Sequence, residues 1–206
     1  MTVIIDYGVG NLFSLTCSFK KIGADVVVTD DPEIIKKADR LILPGVGAFE
    51  DAAKKLETSG LGEILKSRAA AGVPILGICL GMQLLFERSF EYGEHKGLGL
   101  LEGDIKPFKG AIDSRLQIPH IGWNSLTIMQ NDCPLYKYIK NGDFVYFVHS
   151  FYAPKTVSSA AALAEYGISF AASVAKDNVF GCQFHPEKSG EVGLNILRGF
   201  CEIGEN

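Results

Sequence analysis

Features that mark several classes of protein are absent from this sequence of 206 residues. No apolar run reaches membrane-spanning length, and no basic segment precedes the first apolar run, so we expect neither membrane insertion nor secretion. Lys and Arg total 20 against 24 Asp and Glu, and the lysine pairs are scattered along the chain. Without a basic cluster or a positive net charge, nucleic acid is not an expected ligand.

Cysteine is sparse and irregularly placed. The five cysteines are odd in number and form no C-x-x-C pair, which argues against a disulfide framework and a zinc site and predicts a reducing, cytoplasmic location. Cys17, Cys133, Cys182 and Cys201 are expected to fill space in the core, as most free cysteines do. The sequence carries no signature of a metal site or an organic cofactor, so we expect neither.

Hydrophobic residues make up 47% and charged residues 21% of the chain, a balance typical of one globular domain, which we assign to residues 1–206. In the first half, short apolar runs alternate with helical patterns. Strands are predicted at 3–6, 25–29, 40–43 and 73–78, and helices follow N-caps at Asn11 and Asp31 and span 49–56 and 61–71.

The second half contains separated β-type runs at 143–149, 160–165, 169–176 and 179–184, and a last amphipathic helix begins at Ser189. The whole pattern predicts an α/β fold with three layers. We expect a flavodoxin-like mixed sheet that is mostly parallel, with antiparallel additions in the C-terminal half.

The most informative segment is Gly77-Ile78-Cys79-Leu80-Gly81, which lies between a predicted buried strand and a helical run at 82–87. This G-x-C-x-G pattern is typical of a nucleophile elbow, where flanking glycines let a helix and a strand approach closely around a sharp turn. We expect the elbow at the end of a central strand, with Cys79 exposed and rigidly held. Its place at a helix N-terminus favours the thiolate. Cys79 is therefore the predicted nucleophile.

A cysteine nucleophile needs a base, and His185 is the best candidate among the four histidines. It follows an apolar strand pattern, and Glu187 comes two residues later across Pro186. In extended chain alternate side chains share a face, so Glu187 is expected to bind one imidazole nitrogen while the other faces Cys79. These residues form a predicted Cys-His-Glu triad. Taken alone, H-P-E is a weak motif that is more typical of a surface histidine beside an acid.

Attack on an amide also requires N–H donors for the developing oxyanion. Leu80, the residue after the nucleophile, supplies one backbone N–H. The second is assigned to Val46 in the glycine-rich segment 44–49, which follows a predicted strand and can turn its N–H groups inward. Taken alone, this segment and the G-x-G of residues 7–11 are ordinary turns, and neither completes a nucleotide-binding motif.

These motifs occur in the order found in class I glutamine amidotransferases, which the chain resembles over its whole length. The further segments 6–12, 119–124 and 146–150 are similar to the branch of that family formed by glutaminase subunits of imidazole glycerol phosphate synthase. The resemblance implies that Cys79 attacks the carboxamide of L-glutamine. It also implies that His185 protonates departing ammonia and later activates water, and that Glu187 orients His185.

The resemblance further implies a glutamine pocket and a partner-facing surface. The pocket is expected to contain Gly45, Gly47, Gln83, His149, Ser150 and Phe151, and the partner-facing residues are expected to be Tyr7, Asn11, His120 and Trp123. The implied partner is a separate (β/α)₈ cyclase subunit in a heterodimer. It would use the ammonia to form imidazole glycerol phosphate and an aminoimidazole carboxamide ribotide in histidine biosynthesis, and it would raise the glutaminase rate by completing the oxyanion site near Val46.

Three alternatives stay open. A paralogous glutaminase could feed a different, sugar-modifying synthase. A thiol hydrolase on the same scaffold would act on esters or γ-glutamyl peptides instead of glutamine. A silent binding protein with a reactive elbow cysteine would need neither His185 nor Glu187, and the presence of both residues argues against it.

Overall fold

A mixed sheet with helices on both faces forms the body of the molecule in this computed structural model, which describes residues 1–204. The helices are α1 (Leu12–Lys21), α2 (Pro32–Lys36), α3 (Phe49–Thr58), α4 (Leu61–Ala70), α5 (Leu80–Leu84) and α6 (Gly190–Cys201). The strands are β1 (Thr2–Ile5), β2 (Val26–Thr29), β3 (Arg40–Leu43), β4 (Ile75–Ile78), β5 (Phe86–Ser89), β6 (His95–Lys96), β7 (Leu101–Pro107), β8 (His120–Ser125), β9 (Thr127–Ile128), β10 (Phe144–His149), β11 (Phe151–Pro154), β12 (Ala160–Tyr166), β13 (Ile168–Lys176) and β14 (Val179–Cys182).

Five neighbouring strands, in the order β2-β1-β3-β4-β14, are parallel. Four of them, β1, β3, β4 and β14, are buried along their whole length, as parallel strands covered on both faces are. α1 and α6 pack on one face through residues such as Phe19 and Phe200, whereas α3 and α4 pack on the other through Phe49 and Leu65. The predicted three-layer α/β architecture is confirmed.

Antiparallel strands extend the sheet beyond β14. β13 pairs antiparallel with β14, β11 and β12, and β11 pairs antiparallel with β7, so the predicted antiparallel additions are also confirmed. β8 and β10 form a separate antiparallel ribbon in which His120 lies opposite His149. The ribbon is attached to the chain after β14, because the N–H of His185 donates to Tyr146 O at 2.9 Å.

The predicted helix caps are confirmed, but one helix is shorter than expected. Asn11 accepts from the N–H of Ser14 and Asp31 from that of Glu33. The helical run predicted for residues 82–87 is wrong at its end, because α5 stops at Leu84 and β5 follows. Phe86 is completely buried and is paired with β7. Tertiary packing thus overrides the helical propensity of this segment.

The cysteine predictions hold in part. Cys133 and Cys182 are buried and Cys201 is half-buried, but Cys17 is exposed on α1, so its assignment to the core is wrong. Cys17 lies on the solvent side of an amphipathic helix whose buried positions are Leu15, Ser18 and Phe19. Within residues 1–204, no helix is both long enough and apolar enough to cross a membrane.

Candidate active site

The turn between β4 and α5 has the sharp geometry of a nucleophile elbow. Cys79 adopts φ 55° and ψ −111°, a conformation that non-glycine residues rarely take. A Cβ on Gly81 would lie 1.8 Å from Leu43 O, and one on Gly77 would lie 2.7 Å from the backbone of Gly81. Both positions therefore require glycine, because the helix and the strands approach each other too closely for a side chain.

Cys79 faces a pocket of about 300 Å³. The pocket is lined by Val46, Gly47, Cys79, Leu80, Gln83, Glu91, Pro119, Val148, His149, Ser150, Phe151 and His185. Cys79 is 7% exposed, so the prediction of an exposed nucleophile is wrong. The reason is that the β8–β10 ribbon lies over the elbow, with Val148 O 3.9 Å from the Cys79 sulfur.

The sheet brings His185 to the nucleophile. β14 is parallel to β4, and since the carboxyl ends of parallel strands meet at one edge, the residues after β14 lie beside the elbow. His185 Nδ1 and Glu187 Oε1 are 2.8 Å apart, and the two side chains are 3% and 4% exposed. The extended chain that we expected here is wrong, because Pro186–Lys188 form a 3-10 turn. The turn nevertheless makes the predicted hydrogen bond.

The surroundings of His185 favour its protonated form. Burial lowers its pKa, but the neighbouring Cys79 and Glu187 outweigh burial and raise the pKa to about 10. Nδ1 is hydrogen-bonded to Glu187. Nε2 is buried and has no hydrogen-bond partner within residues 1–204. Cys79 therefore acts on His185 as a nearby charge, and the Nε2 proton is available to a leaving group.

Two glutamines lie behind the nucleophile. Gln83, which we predicted in the pocket, donates through Nε2 to Phe151 O at 3.1 Å and to Gln183 Oε1 at 2.9 Å. Gln183 is completely buried, and its Nε2 is 3.9 Å from the Cys79 sulfur. The sequence reasoning missed Gln183, and the signal for it was a polar residue at the end of an otherwise apolar run.

His149 lines the pocket and is paired with a second buried histidine. Its Nδ1 donates to Phe151 O at 2.8 Å, so its Nε2 is left to accept a hydrogen bond from His120 Nδ1 at 3.1 Å. Burial lowers the pKa of His120 to about 4. Burial is also the main reason why the pKa of His149 is lowered to about 3. Both imidazoles are therefore neutral at physiological pH.

The glycine-rich loop before α3 supplies two of the three residues that we predicted for the site. Val46 and Gly47 line the pocket, whereas Gly45 does not. A Cβ on Gly45 would lie 2.8 Å from Gly81 N and 3.0 Å from the hydroxyl of Tyr7. The prediction that Gly45 lines the glutamine pocket is therefore corrected: its missing side chain lets the loop pack against the elbow.

The four predicted partner-facing residues divide between surface and interior. Trp123 is 54% exposed, but Tyr7 and His120 are buried, so the prediction that their side chains face a partner is wrong. Tyr7 donates to Pro44 O at 2.7 Å, and burial together with the charge of Cys79 raises its pKa. Asn11 is half-buried and caps α1.

Glu91 is a second pocket residue that sequence reasoning missed. It lies in the loop between β5 and β6, lines the pocket, and accepts a hydrogen bond from the N–H of Phe49 at 2.6 Å. Burial raises the pKa of Glu91, and this effect exceeds the opposing effect of the hydrogen bond from Phe49. No local motif surrounds Glu91, since only the packing of its loop against α3 brings it to the pocket.

A family model described as glutamine amidotransferase class-I matches residues 3–202. The chain belongs to the class I glutamine amidotransferase family. It is thus a glutaminase, and Cys79, His185 and Glu187 stand in the arrangement of the Cys-His-Glu triad characteristic of this family. Within the described part of this glutamine amidotransferase, no group of three or more His, Cys, Asp or Glu side chains is arranged to hold a metal ion.

Relatives of similar length agree with this assignment, and a solved structure shares the fold. The imidazole glycerol phosphate synthase subunit HisH of Caldanaerobacter subterraneus subsp. tengcongensis is 52% identical to this chain, and the alignment covers 98% of each. The subunit of the same name from Lactococcus lactis is 49% identical and covers 97% of each chain. The structure of PurLQS from Thermotoga maritima superposes with a TM-score of 0.73 at 20% identity, covering 98% of this glutamine amidotransferase and 97% of that chain. At that identity the superposition shows the fold alone.

Proposed function

We propose that this glutamine amidotransferase is the glutaminase subunit of an imidazole glycerol phosphate synthase and that Cys79 carries the reaction. The observation that supports this most is the meeting of Cys79, His185 and Leu80 in one pocket at the nucleophile elbow. The names of the relatives with 52% and 49% sequence identity support the assignment to that synthase.

The reaction follows from the positions of the protons. The Cys79 thiolate attacks the carboxamide carbon, and the proton of His185 Nε2 goes to the departing ammonia, leaving a glutamyl thioester. Neutral His185 then takes a proton from water, whose oxygen attacks the thioester and releases glutamate and the thiolate. Glutamine and water thus give glutamate and ammonia, and Glu187 holds the imidazole orientation throughout.

Pocket groups account for binding glutamine and stabilising the oxyanion. Glu91 places a carboxylate where the α-ammonium group of glutamine can pair with it. Leu80 is the first residue of α5, where a helix leaves its N–H groups without carbonyl partners. We assign the oxyanion to the Leu80 N–H and to the loop at Val46, which is 41% exposed at the pocket.

An apolar face beside the pocket suits a protein partner. Ile121, Trp123 and Phe144 are 58%, 54% and 56% exposed, and the register of the β8–β10 ribbon places them on one face. Large exposed apolar side chains grouped in this way mark interaction surfaces. In the proposal this face contacts the (β/α)₈ cyclase subunit, which receives the ammonia and forms imidazole glycerol phosphate and an aminoimidazole carboxamide ribotide.

Glutamate formation with and without the cyclase of a close relative tests this proposal. We expect slow turnover by the isolated subunit and a rate at least tenfold higher when cyclase and its phosphoribosyl ligand are present, since binding completes the oxyanion site near Val46. Equal rates would contradict the proposed coupling. Failure to restore growth of a histidine auxotroph together with a matched cyclase would indicate a paralogue that serves another synthase.

A further inference from the structure

A chain of hydrogen bonds runs from the wall of the pocket to the back of the nucleophile, and its first member fixes the direction of the rest. The Phe151 carbonyl oxygen can only accept, and it receives His149 Nδ1 at 2.8 Å and Gln83 Nε2 at 3.1 Å. The amide of Gln83 therefore presents its NH₂ group to this carbonyl, and the opposite orientation would place two acceptors together.

The orientation of Gln83 determines that of Gln183. The second Nε2 hydrogen of Gln83 goes to Gln183 Oε1 at 2.9 Å, so the NH₂ group of Gln183 lies on the other side, 3.9 Å from the Cys79 sulfur. Because both Nε2 hydrogens of Gln83 are committed, its amide oxygen is the atom that it offers to a ligand in the pocket.

Core packing alone gives no reason for glutamine at position 183. The residue is 0% exposed, and its neighbours Cys182 and Phe184 are completely buried as well. Burying an amide among apolar side chains costs free energy unless it is hydrogen-bonded, whereas methionine would fill the same volume without polar atoms. The side-chain amide of Gln183 contacts Gln83, which lines the pocket, and Cys79, the nucleophile. Both contacts are with residues of the active site.

We infer that Gln183 is a positioning residue of the glutaminase reaction. Its NH₂ group holds the Cys79 sulfur from behind and stabilises the thiolate, and its amide oxygen holds Gln83 with the acceptor oxygen toward glutamine. The inference rests on the proposed role of Cys79 as the nucleophile. It assigns one buried side chain to both the reactivity of the nucleophile and the orientation of a substrate-binding amide.

Other titratable groups also face Cys79. The charge of Cys79 acts on Tyr7 and on His185, and Glu91 and His149 share its pocket. Glu187 acts through its hydrogen bond to His185. All of these groups are unchanged when Gln183 is substituted, so a change in the ionisation of Cys79 in such a variant comes from position 183.

The test is the pH dependence of Cys79 alkylation by iodoacetamide in the full chain, followed on the Cys79 peptide by mass spectrometry. In Gln183→Met the pH midpoint should rise by about one unit, the effect of losing one hydrogen bond to a charged sulfur. Gln183→Glu keeps the size and the acceptor for Gln83 but turns an oxygen toward the sulfur, so its midpoint should rise further. The exposed thiol of Cys17 serves as the internal reference.

Kinetics separate positioning from a structural role. With cyclase present, Gln183→Met should lower kcat about tenfold and also raise the KM for glutamine, because Gln83 loses its partner. The matched control is Gln130→Met, which removes an amide bound to backbone carbonyls of β12 and β13 and should leave the Cys79 midpoint unchanged. Unchanged midpoints in both Gln183 variants would overturn the inference. Alkylation of Cys79 does not depend on glutamine turnover. Unchanged midpoints would therefore count against the role of Gln183 without counting against the role of Cys79 as the nucleophile.

Discussion

The protonation of His185 depends on Cys79, which faces the same pocket, and on Glu187, which is hydrogen-bonded to its other ring nitrogen. The pKa of His185 is raised to about 10 because the influence of Cys79 and Glu187 exceeds the opposing effect of burial. At neutral pH the imidazole is therefore protonated before glutamine binds. This state is the one required to protonate departing ammonia after the sulfur attacks.

Glu187→Gln tests that balance. Removing the carboxylate removes one of the groups that raise the pKa of His185, so the pKa should fall, and kcat should fall at least tenfold because the imidazole is less well oriented. Histidine NMR titration measures the first effect and glutamate formation the second. Glu63→Gln is the control, because it removes an exposed carboxylate paired with Lys66. A pKa of His185 that stays at about 10 in Glu187→Gln would contradict this account.

The sequence predicted the triad residues but not all of their neighbours. Cys79, His185 and Glu187 carry local motifs, whereas Glu91 and Gln183 reach the site only through packing. The exposure of Cys79 was also mispredicted, because the ribbon that covers it is distant in sequence. Burial of this kind depends on tertiary contacts that no local pattern encodes.

At the scale of elements, the elbow depends on the close approach of α5 to β3. Gly81→Ala would place a Cβ 1.8 Å from Leu43 O, and relieving that overlap requires α5 to move. We expect the free energy of unfolding to fall by about 3 kcal/mol or more, measured by urea denaturation. Gly62→Ala is the control, because Gly62 also lies in a helix, α4, but a Cβ there would come no nearer than 3.4 Å to the surrounding atoms.

The control should leave stability unchanged or raise it by up to about 1 kcal/mol, since alanine is favoured over glycine inside a helix. Equal losses in the two variants would mean that contact with β3 is not the reason why Gly81 is necessary.

The β8–β10 ribbon carries the neutral histidine pair, and this gives it a pH-dependent stability. In the folded state His120 and His149 have pKa values of about 4 and about 3, but in the unfolded chain they take up protons below about pH 6.5. The unfolded state therefore binds more protons as pH falls from that value. Stability decreases in the same direction, by about 1.4 kcal/mol per pH unit for each histidine.

His120→Phe should reduce this slope, since it keeps the ring stacked between Phe147 and Tyr166 but removes one titrating group. Urea denaturation at about pH 6.5 and about pH 5 measures the slope. Tyr166→Phe, which retains the stacked ring and every histidine, should lower stability equally at both pH values. If His120→Phe leaves the slope unchanged, the histidine pair does not cause it.

Element prediction succeeded where the local signal and the tertiary structure agree. Asn11 and Asp31 cap helices because their side chains accept backbone N–H groups locally. Prediction failed at Phe86, where burial against β7 imposes a strand, and at Pro186, where a 3-10 turn replaces extended chain. At Phe86 a contact distant in sequence decides the conformation, whereas the turn at Pro186 is closed by local hydrogen bonds, from the N–H of Lys188 to His185 O and from the N–H of Ser189 to Pro186 O.

At the scale of the whole molecule, the active site lies at one edge of the parallel sheet, and the exposed residues Ile121, Trp123 and Phe144 lie on the ribbon that covers it. A partner bound to that ribbon would contact the same element that encloses Cys79. This arrangement gives a physical route from partner binding to the nucleophile, and it supports the proposal that turnover depends on the cyclase.

The most direct test of the central claim is glutamate formation by Cys79→Ser, with cyclase and its ligand present. We expect kcat to fall at least about a thousandfold, since the serine hydroxyl does not ionise as the thiol does. The folded structure and the binding of cyclase should be retained. Glutamate formation at close to the wild-type rate in Cys79→Ser would contradict the assignment of Cys79 as the nucleophile.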